Sequence, residues 1–73
     1  MTELNTTLGA RLKSARIAAG MSQADLSRRL QVTAVSVWRW ENDRKPPSRD
    51  RVMRIARELS VSVDWLLGVG AAA

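Results

Sequence analysis

Apolar positions along the chain recur at helical spacing. Leu8, Leu12, Ala15 and Ala19 fall on one stripe, with Arg11 and Lys13 between them. Leu26 and Leu30 mark a second stripe and Val37 with Trp40 a third. Val52, Ile55, Ala56 and Leu59 make a fourth, and a short fifth run covers Val63 to Leu67. The residues between these stripes read as helix punctuation. Thr6 or Thr7 caps a first helix that runs to about Ala19, and Gly20 ends it in a left-handed conformation. Ser22 caps the second helix, with Asp25 placed to complete a shortened capping box. Gln31 and Val32 form a turn, and Thr33 caps the third helix. Asn42-Asp43-Arg44-Lys45-Pro46-Pro47 is a loop by composition, because two prolines and an Asn-Asp pair do not continue a helix. Ser48 caps the fourth helix, with Asp50 in its first turn. Ser62 caps the fifth, which Gly68 closes.

No strand pattern and no repeat interrupts this order, so the fold class expected is all-α, a compact five-helix bundle containing a helix-turn-helix. The expected core is Leu8, Leu12, Met21, Leu26, Leu30, Val32, Val37, Trp40, Val52, Ile55, Leu59, Val61 and Leu66. Residues 1–6 are expected to be a flexible N-terminus, 7–68 the domain and 69–73 a flexible tail.

Composition narrows the chemistry. At 73 residues the chain is one domain with a modest core, and packing, with or without a partner chain, must supply its stability. There is no Cys and no His, which removes disulfides, thiolate metal sites and the commonest general base. No metal, cofactor or small-molecule ligand is expected. With no clustered carboxylates and no glycine-rich phosphate loop either, an enzyme is not expected. The formal charge of +5, from 12 Lys and Arg against 7 Asp and Glu, suits a polyanion partner and suits a merely soluble basic protein equally well. No apolar run has the length of a membrane span and the N-terminus lacks a signal-peptide pattern, so a cytoplasmic location is expected.

The stretch from Ser22 to Asn42 carries the sharpest signal. In a helix-turn-helix the first helix crosses the DNA backbone and the second lies in the major groove. Close approach of the two asks for a small residue, supplied by Ser27, and an apolar plug in the turn, supplied by Val32. Val37 and Trp40 anchor the second helix, leaving Ala34, Val35, Ser36, Trp38 and Arg39 to face outward. The competing reading is any helical hairpin in a small bundle. Ala34 and Val35 open the recognition helix and reach deepest; the apolar target for Val35 is a thymine methyl group. Arg39, on the same face, pairs with guanine O6 and N7 or with a phosphate. Ser36 meets a base, a phosphate or solvent. Trp38 packs its edge on the sugar-phosphate backbone or lies across the loop. Phosphate candidates are Thr33 at the cap, Arg44 and Lys45 in the loop, Arg11 on the first helix, and Gln23 where outward N–H groups open the second helix. One of Arg28 and Arg29 is expected to face DNA, and Arg51, Arg54 and Arg57 to form a solvated face.

Arg16, Ser22-Gln23, Leu26, Val32-Thr33, Val37, Glu41, Pro47, Ile55-Ala56, Leu59, Val61-Ser62, Asp64 and Leu66-Leu67 together resemble the helix-turn-helix domains of the phage repressor and Cro type, often called the XRE family. The resemblance runs from about Leu8 to Leu67. It implies dimeric operator binding and transcriptional control. It further implies that Gln23 binds phosphate and braces the third helix, and that Arg16 and Glu41 pair. Three positions depart from the family: Gln31 and Asp43 stand where Gly is usual or frequent, and Ser27 where Ala is usual.

One such module reads too few base pairs to find a site in a genome, so a homodimer on a palindromic operator is expected. Val63, Trp65 and Leu67 are the candidates to pair across the two-fold axis; alternatively Trp65 folds inward to complete the core. The function expected is sequence-specific transcriptional regulation by a phage or prophage repressor or Cro-type protein. The alternatives are a restriction–modification controller and an antitoxin-like module that binds a toxin protein. The residues after Gly68 are too few to wrap a toxin.

Overall fold

Every helix begins at a hydroxyl. Thr7, Ser22, Thr33, Ser48 and Ser62 stand in extended backbone, and each side-chain oxygen accepts the amide one turn on. They open α1 (Leu8–Ala18), α2 (Gln23–Leu30), α3 (Ala34–Glu41), α4 (Arg49–Leu59) and α5 (Val63–Leu67). This computed structural model describes residues 7–69. The expectations for 1–6 and for the end of the tail lie outside the described residues. Val69 is within them, and its amide donates to the Asp64 carbonyl at 3.0 Å as part of the α5 cap. No described helix is long and apolar enough to cross a membrane.

The caps also differ in charge. At α2 the box is complete: Asp25 N donates to Ser22 Oγ and Ser22 N to Asp25 Oδ2, both at 2.9 Å. The Ser22 amide first, then its hydroxyl and the nearby Arg28 and Arg29 charges, hold the Asp25 carboxyl below its ordinary value.

Among the described residues, three that are not glycine turn left-handed: Gln31 (φ 59°), Asp43 (φ 56°) and Ser60 (φ 58°). Gln31 closes α2, and Val32 N then reaches back to Ser27 O at 3.0 Å, which fixes the turn between α2 and α3. A Gln in this conformation costs on the order of 1 kcal/mol.

The core gathers the apolar stripes. Leu12, Leu26, Leu30, Val37, Ile55 and Leu66 are fully buried, joined by Trp40, Val52, Leu59 and the small residues Ala15 and Ala56. Leu8, Met21, Val32 and Val61 pack against this cluster half-buried, at its rim. Ala19 departs from expectation: α1 ends one residue earlier and Ala19 is its exposed C-cap, so the stripe stops at Ala15. α3 is held from behind by α1 and α2, α4 packs on α2 and α5, and α5 returns to α1.

Gly9 sets how closely α1 meets the end of α3. A Cβ there would stand 2.5 Å from Trp40 O and 2.7 Å from Glu41 O, both backbone atoms that cannot swing aside. Gly9→Ala is therefore expected to destabilise the fold by about 2 kcal/mol, as overpacking does. Helix propensity alone would make the same change favourable by roughly 1 kcal/mol. Urea unfolding separates the two: a higher midpoint for Gly9→Ala would mean that the α1–α3 contact yields.

Candidate nucleic-acid interface

A buried polar cluster fastens three helices together. Arg16, near the end of α1, and Glu41, at the end of α3, are both buried, their side chains 9% and 1% exposed. Arg16 Nε donates to Glu41 Oε2 at 2.6 Å and Nη2 to Oε1 at 3.2 Å, a two-pronged arrangement suited to the planar guanidinium. The third nitrogen, Nη1, donates to Met21 O at 2.7 Å. From α2, Gln23 Nε2 donates to Glu41 Oε1 at 3.0 Å. The paired Arg16 and Glu41 and the bracing Gln23 thus stand where the sequence resemblance implied, with the Gln23 amide nitrogen engaged within the protein.

This cluster, with Val37 and Trp40, commits one side of α3 to the interior and turns the other side out. Ala34, Val35, Trp38 and Arg39 are exposed, Val35 to 55%. Two large apolar side chains, Val35 and Trp38, thus stand on the outer face of an amphipathic helix. Ser36 is half-buried on the flank, its hydroxyl 3.1 Å from Thr33 Oγ1, so these two candidates form a local pair at the helix start. Ser27 is buried, and its hydroxyl donates to Ala24 O at 2.7 Å, so its polar atom is satisfied within α2.

The loop after α3 is held by hydrogen bonds at both ends. Left-handed Asp43 sends Oδ1 to the Gly9 amide at 3.2 Å and Oδ2 to the Thr7 hydroxyl at 2.7 Å, joining the loop to the start of α1. Its own amide donates to Trp40 O at 3.3 Å, and Arg44 N donates to Arg39 O at 2.9 Å. Arg44 then lies over Trp38, with Cζ 5.7 Å from the ring centroid. On the opposite flank a notch of about 260 Å³ lies between Ser36 and Arg39 of α3 and Lys45, Ser48 and Arg51. Arg51 departs from the solvated face expected of it: it is half-buried with Cζ 6.0 Å from the Trp40 ring. Cationic groups therefore border α3 on both sides, and the two-sided arrangement fits a helix lying between two phosphate strands.

Other candidates fall elsewhere. Arg11 is half-buried and its Nε donates to Leu66 O at 2.9 Å, so its head group lies at the end of α5. Of the two arginines on α2, Arg28 pairs with Asp25 on its own helix and Arg29 with Glu58 of α4 at 3.3 Å. Val63 packs half-buried against the core, whereas Trp65 and Leu67 are exposed, with Val69 beside them in sequence.

Sequence reasoning missed Gly9, the Asp43 carboxylate, left-handed Ser60 and both arginine–tryptophan contacts. The signal for Asp43 and Thr7 was visible as a carboxylate after α3 and a hydroxyl before α1, but nothing local joins them.

A family profile described as helix-turn-helix matches residues 12–66. The chain belongs to the helix-turn-helix family, in its phage-repressor and Cro (XRE) branch. This helix-turn-helix chain is 34% identical over 62 residues to the HTH-type transcriptional regulator ImmR of Bacillus subtilis (strain 168), an alignment that covers 85% of the chain and 49% of the relative. It thus spans about half the length of that regulator. Among solved structures, the P22 c2 repressor protein in complex with synthetic operator 9T superposes with a TM-score of 0.82 at 25% identity, covering 86% of this chain and 96% of that one.

Proposed function

We propose that this helix-turn-helix domain binds duplex DNA with the outward face of α3 in the major groove and regulates transcription as a repressor. The observation that carries the reading is the outer face itself: Val35, Trp38 and Arg39 exposed on a helix whose other face is pinned by Glu41, Val37 and Trp40. Val35 and Ala34 lie at the start of α3 and meet base edges, Arg39 reads guanine or holds a phosphate, and Ser36 and Thr33 sit at the groove wall. Gln23, Arg44, Lys45 and Trp38 face the backbone. The role is non-enzymatic, with duplex DNA the partner. The domain acts as a homodimer on a palindromic operator, as a repressor of the phage or prophage kind. Exposed Trp65 and Leu67 support a two-fold contact through α5, whereas Val63 supports the core beneath them. Selection from a random duplex pool is expected to return two inverted half-sites; a pool without an enriched motif would overturn the reading.

Val35 makes the reading specific. Its side chain offers shape without hydrogen bonds, and thymine methyl groups are the apolar features of the major-groove edge. Each half-site is expected to place thymines around it. Replacing one such thymine by uracil removes only the methyl and should cost about 1 kcal/mol of binding. With Val35→Ala the same replacement should cost much less, which a double-mutant cycle of operator affinities measures. Strict additivity at every thymine would leave specificity to Arg39 and DNA shape.

A further inference from the structure

Trp38 has no role in the core, yet the loop is built to hold a guanidinium over it. Four hydrogen bonds fix that loop: Arg44 N to Arg39 O at 2.9 Å, Asp43 N to Trp40 O at 3.3 Å, Gly9 N to Asp43 Oδ1 at 3.2 Å and Thr7 Oγ1 to Asp43 Oδ2 at 2.7 Å. A fifth bond, Asn42 Nδ2 to Trp38 O at 2.9 Å, ties the preceding residue to the same turn. The outcome is Arg44 Cζ 5.7 Å from the Trp38 ring centroid, with the indole still 44% exposed. A guanidinium binds in two ways at once. Its flat face stacks on an aromatic ring, and its N–H groups point outward in the plane as a fork that fits two phosphate oxygens. An unsupported arginine on a loop loses rotamer entropy when it engages a phosphate; one already lying on a plate has less to lose.

Resting on the DNA-binding reading above, we infer that Trp38 is a positioning residue: its indole holds the Arg44 guanidinium edge-on to one backbone phosphate beside α3. Trp38 acts through Arg44 rather than by reading a base. The contact is therefore indifferent to sequence, and lysine cannot replace Arg44, because an ammonium has neither a flat face nor a fork.

Two measurements test this. In the free protein, the Arg44 side-chain NMR resonances should show a ring-current shift that Trp38→Ala removes; their absence from the parent spectrum would overturn the inference. The second is a binding cycle on random-sequence and selected duplexes, with the parent, Trp38→Ala, Trp38→Phe, Arg44→Ala, Arg44→Lys and Trp38→Ala/Arg44→Ala. Both side chains are exposed, so unfolding midpoints should stay near the parent's and show that each variant folds. Arg44→Ala should lower the slope of log K against log salt by up to about one unit. Trp38→Ala should weaken every duplex by roughly threefold to tenfold, the range of a cation–π contact, and Trp38→Phe by less. Arg44→Lys should lose affinity on all sequences. In the Arg44→Ala background, Trp38→Ala should change affinity by less than about twofold. Additive losses, or a Trp38 effect confined to particular sequences, would overturn the inference while leaving DNA binding intact. Failure of the parent to bind any duplex would overturn both.

Discussion

Arg16→Ala is expected to lower the unfolding free energy by about 3 kcal/mol, the cost of stranding one partner of a buried ion pair. The geometry gives no easy relief. Glu41 is almost wholly enclosed, and without Arg16 only the Gln23 amide at 3.0 Å remains among the bonds described to it. The Met21 carbonyl loses its donor at the same time. For a domain of this size, 3 kcal/mol corresponds to a fall in melting temperature of at least about 12 °C. Replacing both partners with apolar groups of similar size, as in Arg16→Met/Glu41→Leu, should recover much of the loss, since the pair's net contribution after desolvation is small. A melting curve for Arg16→Ala that overlays the parent's would show that the pair does not hold α1 to α3. A double variant as unstable as the single would mean that the cluster is needed for its polar bonds and not merely for neutrality.

What the sequence revealed divides by range. Caps, helix boundaries and inward stripes depend on residues one turn apart, and these were legible: Ser22 with Asp25, Val37 with Trp40, Val52 with Ile55 and Leu59. Ala19 misled because its spacing continued a stripe beyond the point where the helix ended. Apart from half-buried Ser36, the outward set on α3 was legible for the same reason as the inward set, being its complement. Arg16 with Glu41 was legible only through family resemblance, since no local rule joins an arginine in one helix to a carboxylate at the end of another. Asp43 shows the limit most clearly. Its left-handed backbone fits the Gly that the resembling family frequently has there, but its carboxylate caps α1, 34 residues away, and that depends on the two chain segments already being packed. The contacts of Arg11 and Arg51 were not legible for a similar reason: a long side chain reaches whichever carbonyl or ring tertiary packing presents, here Leu66 O and the Trp40 face.

Inserting about five base pairs between the two half-sites of the operator is expected to weaken binding by at least about 100-fold. Half-sites read by a two-fold dimer lie about one helical turn, roughly 34 Å, apart, so that both recognition helices meet the same side of the duplex. Half a turn of extra DNA carries the second site to the opposite side. A flexible tether between domains would absorb that change. The proposed contact is not of that kind, because Trp65 and Leu67 belong to α5, which is packed directly on α1 and α4 and capped through Gly68 and Val69. The proposed recognition and dimer surfaces therefore belong to one packed domain, and the proposal gives them a fixed relative orientation. The second contact is lost outright, and only the affinity of a single half-site remains. Trp65→Ala should produce the same weak binding on the unaltered operator without changing affinity for an isolated half-site. Equal affinity for the normal and expanded operators, measured by gel shift or fluorescence anisotropy, would remove the rigid homodimer from the proposal and leave α3 to act in a single domain.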